Sequence, residues 1–345
     1  MRARSSNPHR PMDTRIPRVR HAGLTLLELI LVMFLLAMVM GGGLGLFATL
    51  DFGKRQAAGL VKNAVRSAQN TAIATQSPAR VRVDAEAGLL TPETSVVVGT
   101  WHFEDRKLVG GGNLIGIANE ELFTTDGYLG DAISFTDRVG MAATIPVQRD
   151  NAFDFRDGFT IECVLRHEGV GGGRLLTISE NVRLELGQGG ALRGSFHVRS
   201  VKEGRSSRGG QVVVQSRPGV VLPERWTHVR LSYDRLELVL FVDGVRVAAT
   251  SETAQVWDIT EEMVLSDERR PFPGSLDSLV ITAVHAQEPI QLPESVQIVQ
   301  SPELLRFAAG GGLDRREHRD PPEIVLAFDD GSREVVGVGF YGTVE

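Results

Sequence analysis

The feature that most constrains this chain is a stretch of 22 residues, 29–50, that contains no charged side chain. At about 1.5 Å per residue, a helix of that length spans about 33 Å, close to the ~30 Å hydrocarbon thickness of a bilayer. Six arginines and a single acid, Asp13, precede this stretch within residues 1–23. The pattern predicts a single-pass protein with its N-terminus in the cytoplasm and the remaining chain outside.

The rest of the chain has the composition of a folded, acidic protein. Of the 345 residues, 23% are charged, and beyond residue 23 the chain has 31 basic and 42 acidic residues. This length predicts about two folded units. The acidic balance argues against nucleic acid as a partner. Cys163 is the only cysteine, which excludes an internal disulfide and a cysteine-rich zinc site.

An acidic residue, Glu28, stands at the start of the apolar stretch. A charge inside a membrane span costs about 2.5–3.5 kcal/mol, so its presence needs a reason. Residues 23–28, Gly-Leu-Thr-Leu-Leu-Glu, follow the basic leader and resemble the processing signal of type IV prepilins and type II secretion pseudopilins. The resemblance implies that a prepilin peptidase cleaves after Gly23 and methylates Leu24. It also implies that Glu28 pairs with the new amino terminus of a neighbouring pilin subunit during assembly.

Two other interpretations of the leader stay open. A secretory signal peptide also joins a basic region to an apolar one, although this apolar stretch is longer than usual and begins beside Glu28. Alternatively, Glu28 lies at the level of the lipid headgroups, where water hydrates it. The pilin interpretation places the protein in the inner membrane, with its C-terminal part in the periplasm or in a filament outside the cytoplasm.

Residues 24–78 predict one long helix whose second half is amphipathic, which the resemblance identifies as the rod of a pilin. Small and apolar residues recur there at steps of three and four, at Ala57, Leu60, Val61, Ala64, Ala68, Thr71, Ala72 and Thr75. Pro78 is expected to end the helix, because a residue that precedes proline is disfavoured in the α region.

The middle of the chain has the alternating pattern of half-buried strands. Phe159, Ile161, Cys163 and Leu165 alternate with polar residues, and Val229, Leu231 and Tyr233 do the same. Asp243-Gly244 separates two apolar runs and predicts a hairpin with a type I′ turn. Because Cys163 falls on the apolar side of its strand, we predict that it packs in the core.

The order of these elements resembles a laminin-G or concanavalin-like jelly roll over residues 95–287. The resemblance rests on six short motifs, which begin at Thr100, Gly127, Phe159, Trp226, Phe241 and Gly274. It implies an all-β sandwich, and members of this family often bind glycans or calcium at loop ends. Trp101 and Trp226 belong to the sandwich pattern and are predicted to lie in the core. Trp257 and Tyr128 are then the candidates for ligand contact.

The sequence assigns no cofactor. Asp126, Asp131 and Asp137 are the acids nearest to a calcium pattern, but their spacing is looser than that of an EF-hand loop and favours solvated turns. The eight histidines have no metalloprotease spacing, the glycine runs lack a phosphate-binding ending, and no Gly-x-Ser-x-Gly motif occurs. We therefore predict that the protein is not an enzyme.

The C-terminal part predicts how the units are joined. Residues 288–322 read as a connector, and residues 323–345 contain a second hairpin around Asp329-Asp330-Gly331, which resembles the last strands of H-type minor pseudopilins. Residues 79–94 then supply the first pilin strands, and the jelly roll is inserted between them and residues 290–345, which share one sheet. The predicted class is α+β, with a long N-terminal pilin helix, a small antiparallel sheet and the jelly roll.

Three functions fit these patterns. The first is a minor pseudopilin of a type II secretion system or a minor type IV pilin, whose jelly roll contacts a secreted protein or a glycan. The second is a single-span, membrane-anchored lectin-like adhesin that does not polymerise. The third is an anchored glycan hydrolase. Only the first accounts for both Gly23 and Glu28.

Overall fold

The computed structural model describes residue 26 and residues 29–38, 52–111, 114–136, 141–147, 153–169, 171–202 and 204–344. The predicted processing and assembly residues Gly23, Leu24 and Glu28 lie outside the described residues, as does Asp137. The chain divides into two compact units, residues 1–53 and 54–345.

Two helices are described. Helix α1 comprises residues 29–38, whose large apolar side chains are exposed, and α2 is Phe52–Thr75. Within the described ranges, no helix combines the length and the apolar character needed to cross a bilayer. This finding contradicts the predicted inner-membrane localisation, and residues 39–50 of the predicted span lie outside the described residues.

The predicted α+β class is also wrong. The described chain is nearly all β, with twenty strands, and its described α-helical segments, residues 29–38 and Phe52–Thr75, are short beside them. The reason is that period-two alternation, which places side chains on opposite faces of a strand, extends over most of residues 79–337. A helix of 24 residues and one of ten are a minor part of such a chain.

The largest sheet, called the large sheet below, has eleven antiparallel strands. Eight follow one path, in the order β13 (Val245–Ser251), β12 (Glu237–Val242), β11 (Thr227–Tyr233), β6 (Phe159–His167), β15 (Gly274–Ala286), β2 (Leu89–Trp101), β1 (Ala79–Asp84) and β18 (Leu304–Phe307). The other three are β16 (Ile290–Gln291), which pairs with β2, and the pair β3 (Phe123–Thr124) and β4 (Ala132–Ser134), of which β4 joins β15.

The second sheet, the six-stranded sheet, packs against the large sheet. Its order is β10 (Arg205–Gln215), β9 (Leu192–Lys202), β8 (Val182–Leu186), β7 (Gly173–Ile178), β14 (Met263–Leu265) and β5 (Ala143–Ile145). The inner rows of both sheets form one core that includes Phe159, Ile161, Leu231 and Phe196. Cys163 is part of this core, and burial raises its pKa to about 12. This is the predicted sandwich.

A second core lies under α2. Its helical side is the predicted stripe, including Ala57, Val61, Ala64, Ala68 and Ala72, and α2 ends at Thr75, three residues before the proline. Its other side comes from β1 and β18 and from a three-stranded sheet of β17 (Val296–Gln300), β19 (Glu323–Phe328) and β20 (Arg333–Gly337).

The predicted C-terminal hairpin forms, but its partner differs from the prediction. β19 pairs with β17 and β20, whereas β1 pairs with β2 and with β18. The expectation that residues 79–94 and 290–345 share one sheet is met by β18 and β16, which pair with β1 and β2, but not by β17, β19 and β20, which form the separate three-stranded sheet. β1 belongs to the large sheet because β2 and β15 are long, with 13 residues each. β2 can therefore pair with β1 near its start and with β15 near its end. The boundaries predicted for the individual domains stay predictions.

Candidate functional site

The face of the large sheet that points away from the sandwich core, called the outer face below, carries polar and aromatic side chains. Alternation along β11 defines it: Thr227, Val229, Leu231 and Tyr233 are buried in the core side, so the residues between them point outward. From Trp226, just before the strand, to Ser232 the face extends about 20 Å. It is long enough to hold an extended ligand.

An exposed aromatic pair lies at one end of the outer face. The ring centroids of Tyr128 and Trp226 are 6.3 Å apart with the planes tilted by 59°, and 53% of Tyr128 is exposed. The guanidinium of Arg166, on β6, lies 5.0 Å from the Trp226 ring and forms a 2.8 Å ion pair with Asp126. Aromatic faces beside charged groups suit ligands that have both apolar and polar surfaces.

A buried carboxylate holds the loop that carries Tyr128. Asp277, on β15, is 1% exposed, and its Oδ2 accepts hydrogen bonds of 3.0 Å from the backbone N–H groups of both Tyr128 and Leu129. The turn also requires glycine, because a Cβ on Gly127 would lie 2.5 Å from the carbonyl oxygen of Gly130, which itself has φ +92°. The loop is thus fixed on a strand, and its ring is presented in one place.

Charged groups occupy the middle of the outer face. One row of cross-strand neighbours runs through Thr100, Val280, Glu162, Arg230, Phe241 and Arg246. Glu162 lies 3.5 Å from the Nε2 atom of His228 and 4.0 Å from a terminal nitrogen of Arg230. Arg230 stacks over the Phe241 ring at 3.9 Å, and its buried Nε–H has no acceptor among the described residues.

A groove of about 390 Å³ continues from this row toward the other end of the face. Thr160 and Ser232 lie on its floor, and their hydroxyl oxygens are 3.2 Å apart. Arg306, Asp314 and Glu317 line its far side. A volume of this size is within the range of small-molecule sites, and hydroxyl and charged groups supply polar contacts in it.

The groove ends at a buried cluster of charges. Arg306, Arg80 and Glu93 form one cross-strand row, and Glu93 is 1% exposed. The Glu93 carboxylate accepts a hydrogen bond from the Nε of Arg80 and one of 2.8 Å from the Nε of Arg82. Asp234 pairs with Arg306, and its backbone oxygen accepts from Arg82. Such a cluster fixes the strands around it, because each charge depends on its partner.

The pKa values of this cluster follow from burial and mutual charge. Burial lowers the pKa of Arg80, against the opposing effect of the Glu93 carboxylate. Burial acts to raise the pKa of Asp234, but the charge of Arg306 and the hydrogen bond from Glu237 N–H hold it below its ordinary value. The lowered pKa of Asp234 keeps its carboxyl group ionised at neutral pH.

The structure separates the two predicted ligand contacts. Tyr128 lies on the outer face beside Trp226, whereas the backbone N–H of Trp257 donates to the backbone carbonyl of His197 on the six-stranded sheet. Trp101 is fully buried, as predicted. Trp226 is only partly buried, so its predicted place in the core is wrong. The alternation along β11 indicates the correct position for Trp226. Because Trp226, His228 and Arg230 are two residues apart, their side chains point to the same face of the sheet.

The structure gives no support for calcium at the predicted acids. In the described ranges, no group of three or more histidine, cysteine or acidic residues is placed to hold a metal ion. Asp126 is used instead in its ion pair with Arg166.

Comparison with protein families matches residues 140–288 to a laminin-G model that is described as the concanavalin A-like lectin/glucanases superfamily. This part of the chain, less than half of its length, is thus similar to a concanavalin-like jelly-roll domain. The match begins before β5 and extends just beyond β15, so it includes β11 and most of the outer face. No curated protein matches the sequence.

Several solved structures are similar to parts of the chain. The binding domain of botulinum neurotoxin serotype G is 6% identical with a TM-score of 0.42, over 54% of this chain and 47% of the neurotoxin domain. The chain thus spans about half of that domain. Domain 4 of the arabinanase AbnA from Geobacillus stearothermophilus, solved with arabinotriose, is 16% identical with a TM-score of 0.38. The similarity covers 56% of this chain and 95% of the AbnA domain. The binding domain of Paraclostridial Mosquitocidal Protein 1 is 12% identical with a TM-score of 0.43. The similarity covers 70% of this chain and 64% of that binding domain.

Proposed function

We propose that the jelly roll is a lectin-like module that binds a glycan along the outer face of the large sheet. The observation that carries the proposal is the Tyr128–Trp226 pair at one end of a polar face, in which Tyr128 is half exposed and its loop is held by Asp277. Sugars present both C–H faces and hydroxyl groups. Aromatic rings bind the first, and the hydroxyl, guanidinium and carboxylate groups of this face bind the second.

The unsatisfied polar groups of the face support this proposal. The Nε–H of Arg230 is buried without an acceptor among the described residues. A buried donor without a partner costs about 1–3 kcal/mol, which a ligand oxygen would recover. Glu162 is the cross-strand neighbour of Arg230, and Thr160 and Ser232 form the next row. All three residues line the groove and offer further donors and acceptors.

The test uses the full chain on an immobilised panel of plant, bacterial and host glycans. Trp226→Ala and Tyr128→Ala are expected to weaken the strongest interaction at least about tenfold, because truncated aromatic contacts at binding sites commonly cost more than 1.4 kcal/mol. Trp257→Ala is the matched control, since it removes a partly buried aromatic ring on the other sheet. Absence of glycan binding, or equal loss in all three variants, would contradict the proposal.

We propose binding without hydrolysis. Glycosidases need two carboxyl groups about 5–10 Å apart, one of which holds a proton. On this face Glu162 contacts His228 and Arg230, Glu237 contacts Arg246 at 2.8 Å, and Asp234 pairs with Arg306. Although burial acts to raise the pKa of Asp234, the charge of Arg306 holds it below its ordinary value, which opposes a role as general acid for that carboxyl. Release of new reducing ends from a bound glycan would contradict this proposal.

Processing of the leader is a separate proposal that rests on the sequence motif alone. Cleavage after Gly23 would leave a mature chain that begins at a methylated Leu24, with Glu28 available for subunit pairing. Intact-mass analysis of the protein from its native host tests this directly, and an unprocessed leader would contradict it. Nothing in the glycan-binding proposal depends on the result.

A further inference from the structure

The face of the six-stranded sheet that points away from the core, called the arginine face below, differs in charge from the outer face. Val182, Leu184 and Leu186 of β8 are buried in the core, so Arg183 and Glu185 point outward. Glu185 has Arg174 and Arg193 as its cross-strand neighbours on either side, and Arg193 has Gln215 beyond it. The row is therefore Arg174, Glu185, Arg193 and Gln215.

One carboxylate on this row is shared by three arginines. Arg174, Arg193 and Arg270 approach the oxygens of Glu185 at 3.2, 3.5 and 3.8 Å. Arg174 is also paired with Asp267 at 2.5 Å. A carboxylate accepts about four hydrogen bonds, whereas each guanidinium has five N–H donors. Because Arg193 and Arg270 are held only loosely, most of their donors remain available.

A buried donor on Arg193 is without a partner. Its Nε is buried and has no acceptor among the described residues, although 40% of the side chain is exposed. Buried polar groups in folded proteins almost always have partners, so an unpaired one indicates a bound water, ion or ligand group. Arg183, on the neighbouring row, has the same buried and unpaired Nε.

A small pocket lies where these donors meet. It has a volume of about 190 Å³ and is lined by Arg193, Arg270, Gln215 and Glu185, together with the chain at Gly187 and Ala191. Two guanidinium groups and one amide thus surround a space with one carboxylate, which Arg174 also neutralises. Guanidinium forks bind planar and tetrahedral oxyanions with charge-assisted hydrogen bonds.

We propose that Arg193, Arg270 and Gln215 form a binding site for one oxyanion, either a free inorganic ion or the acidic group of a sugar. The Nε–H of Arg193 and the terminal N–H groups of Arg270 donate to the oxyanion, and the Gln215 amide adds a neutral donor. Glu185 keeps the arginines in place from the side of the sheet. The site is on the opposite sheet from the Tyr128–Trp226 pair and does not rest on the proposed glycan binding.

The test follows the arginine Nε–Hε resonances of the full, isotope-labelled chain during titration with sodium sulfate or sodium galacturonate, at an ionic strength held constant with sodium chloride. Both probes contain an oxyanion, and the one that binds more tightly identifies its source as inorganic or sugar-borne. We expect saturable shifts of the Arg193 and Arg270 signals. Arg193→Gln and Arg270→Gln should each weaken binding about tenfold.

Arg156→Gln is the matched control, because Arg156 is similarly exposed and pairs with one carboxylate, Asp154, in the loop before β6. Arg270→Gln keeps the test valid if Arg193→Gln does not fold, since 56% of the Arg270 side chain is exposed. Shifts that do not saturate, or equal affinities in the wild type and the Arg270→Gln variant, would overturn the proposal. Loss of glycan binding in Trp226→Ala with unchanged sulfate binding would separate the two sites.

Discussion

The two outward faces of the sandwich share one core but differ in their chemistry. The outer face of the large sheet has aromatic rings, hydroxyl groups and acids that each face a basic partner, such as Glu162 with Arg230 and Asp234 with Arg306. The arginine face has three arginines around Glu185 and no comparable aromatic pair among its described strands. The core rows fix the fold, whereas the outward rows are free to vary and can therefore serve different ligands.

The largest expected difference between the faces is in the cost of losing a carboxylate. Glu93→Gln leaves the buried Arg80 guanidinium without its ionic partner and should lower the free energy of unfolding by about 3–5 kcal/mol. Glu185→Gln should cost only about 1–2 kcal/mol, because its arginine partners are partly exposed. Urea unfolding of both variants measures the two values. Equal losses would show that the faces do not differ in this way.

Acid should also reduce stability more through the outer face than through the arginine face. The pKa of Asp234 is lowered in the fold, so its contribution is complete above its ordinary value of 3.8 and is lost as the pH falls through the folded value. Asp267 is lowered mainly by the backbone N–H groups of Arg269 and Arg270, although burial acts to raise it. Asp234→Asn should flatten the acid loss of stability more than Asp267→Asn does, because Asp234 pairs with Arg306 in the buried charge cluster, whereas the backbone N–H groups that bind Asp267 are exposed. Unfolding in urea between about pH 2 and 5 measures both slopes; a steeper change in Asp267→Asn would contradict this prediction.

Much of the sandwich could be predicted because its signals are local. The strands β6 and β11 and the hairpin around Asp243-Gly244 occur where alternation and the turn dipeptide place them, and both turn residues have positive φ as type I′ requires. The stripe on α2 also faces a core as predicted. These features depend on side chains only a few residues apart.

The site was predicted only in part, because its contacts join distant residues. Asp277 and Tyr128 are 149 positions apart, and no local pattern indicates that one holds the other. Trp226 was assigned to the core from its place in a family motif, although the alternation of β11 gives it the opposite phase. Likewise, the pairing of β19 with β17 depends on which strands cover α2, which is a property of the assembled core.

Loosening the Tyr128 loop tests whether the outer face depends on a fixed aromatic pair. Asp277→Ala removes an acceptor shared by two backbone N–H groups and should cost about 1.5–3 kcal/mol of stability. Glycan affinity should fall with it, because the Tyr128 ring is no longer held beside Trp226. Asp277→Asn keeps one acceptor oxygen and should restore most of the affinity. If Asp277→Ala binds glycan as the wild type does, Asp277 is not a positioning residue.

The smallest expected effect concerns the charge beside the aromatic pair. Arg166→Gln removes the contact with the Trp226 ring and the exposed ion pair with Asp126, and should change stability by less than about 1 kcal/mol. If the guanidinium orients Trp226 for a sugar, glycan affinity should fall about two- to fivefold, which corresponds to the ~0.5–1 kcal/mol of an exposed cation–π contact. Arg199→Gln is the matched control, because Arg199 has one carboxylate partner, Asp258, at 3.1 Å on the arginine face. Equal affinities of the two variants would mean that the aromatic rings alone distinguish the outer face, whereas a loss confined to Arg166→Gln would add this arginine to the binding residues.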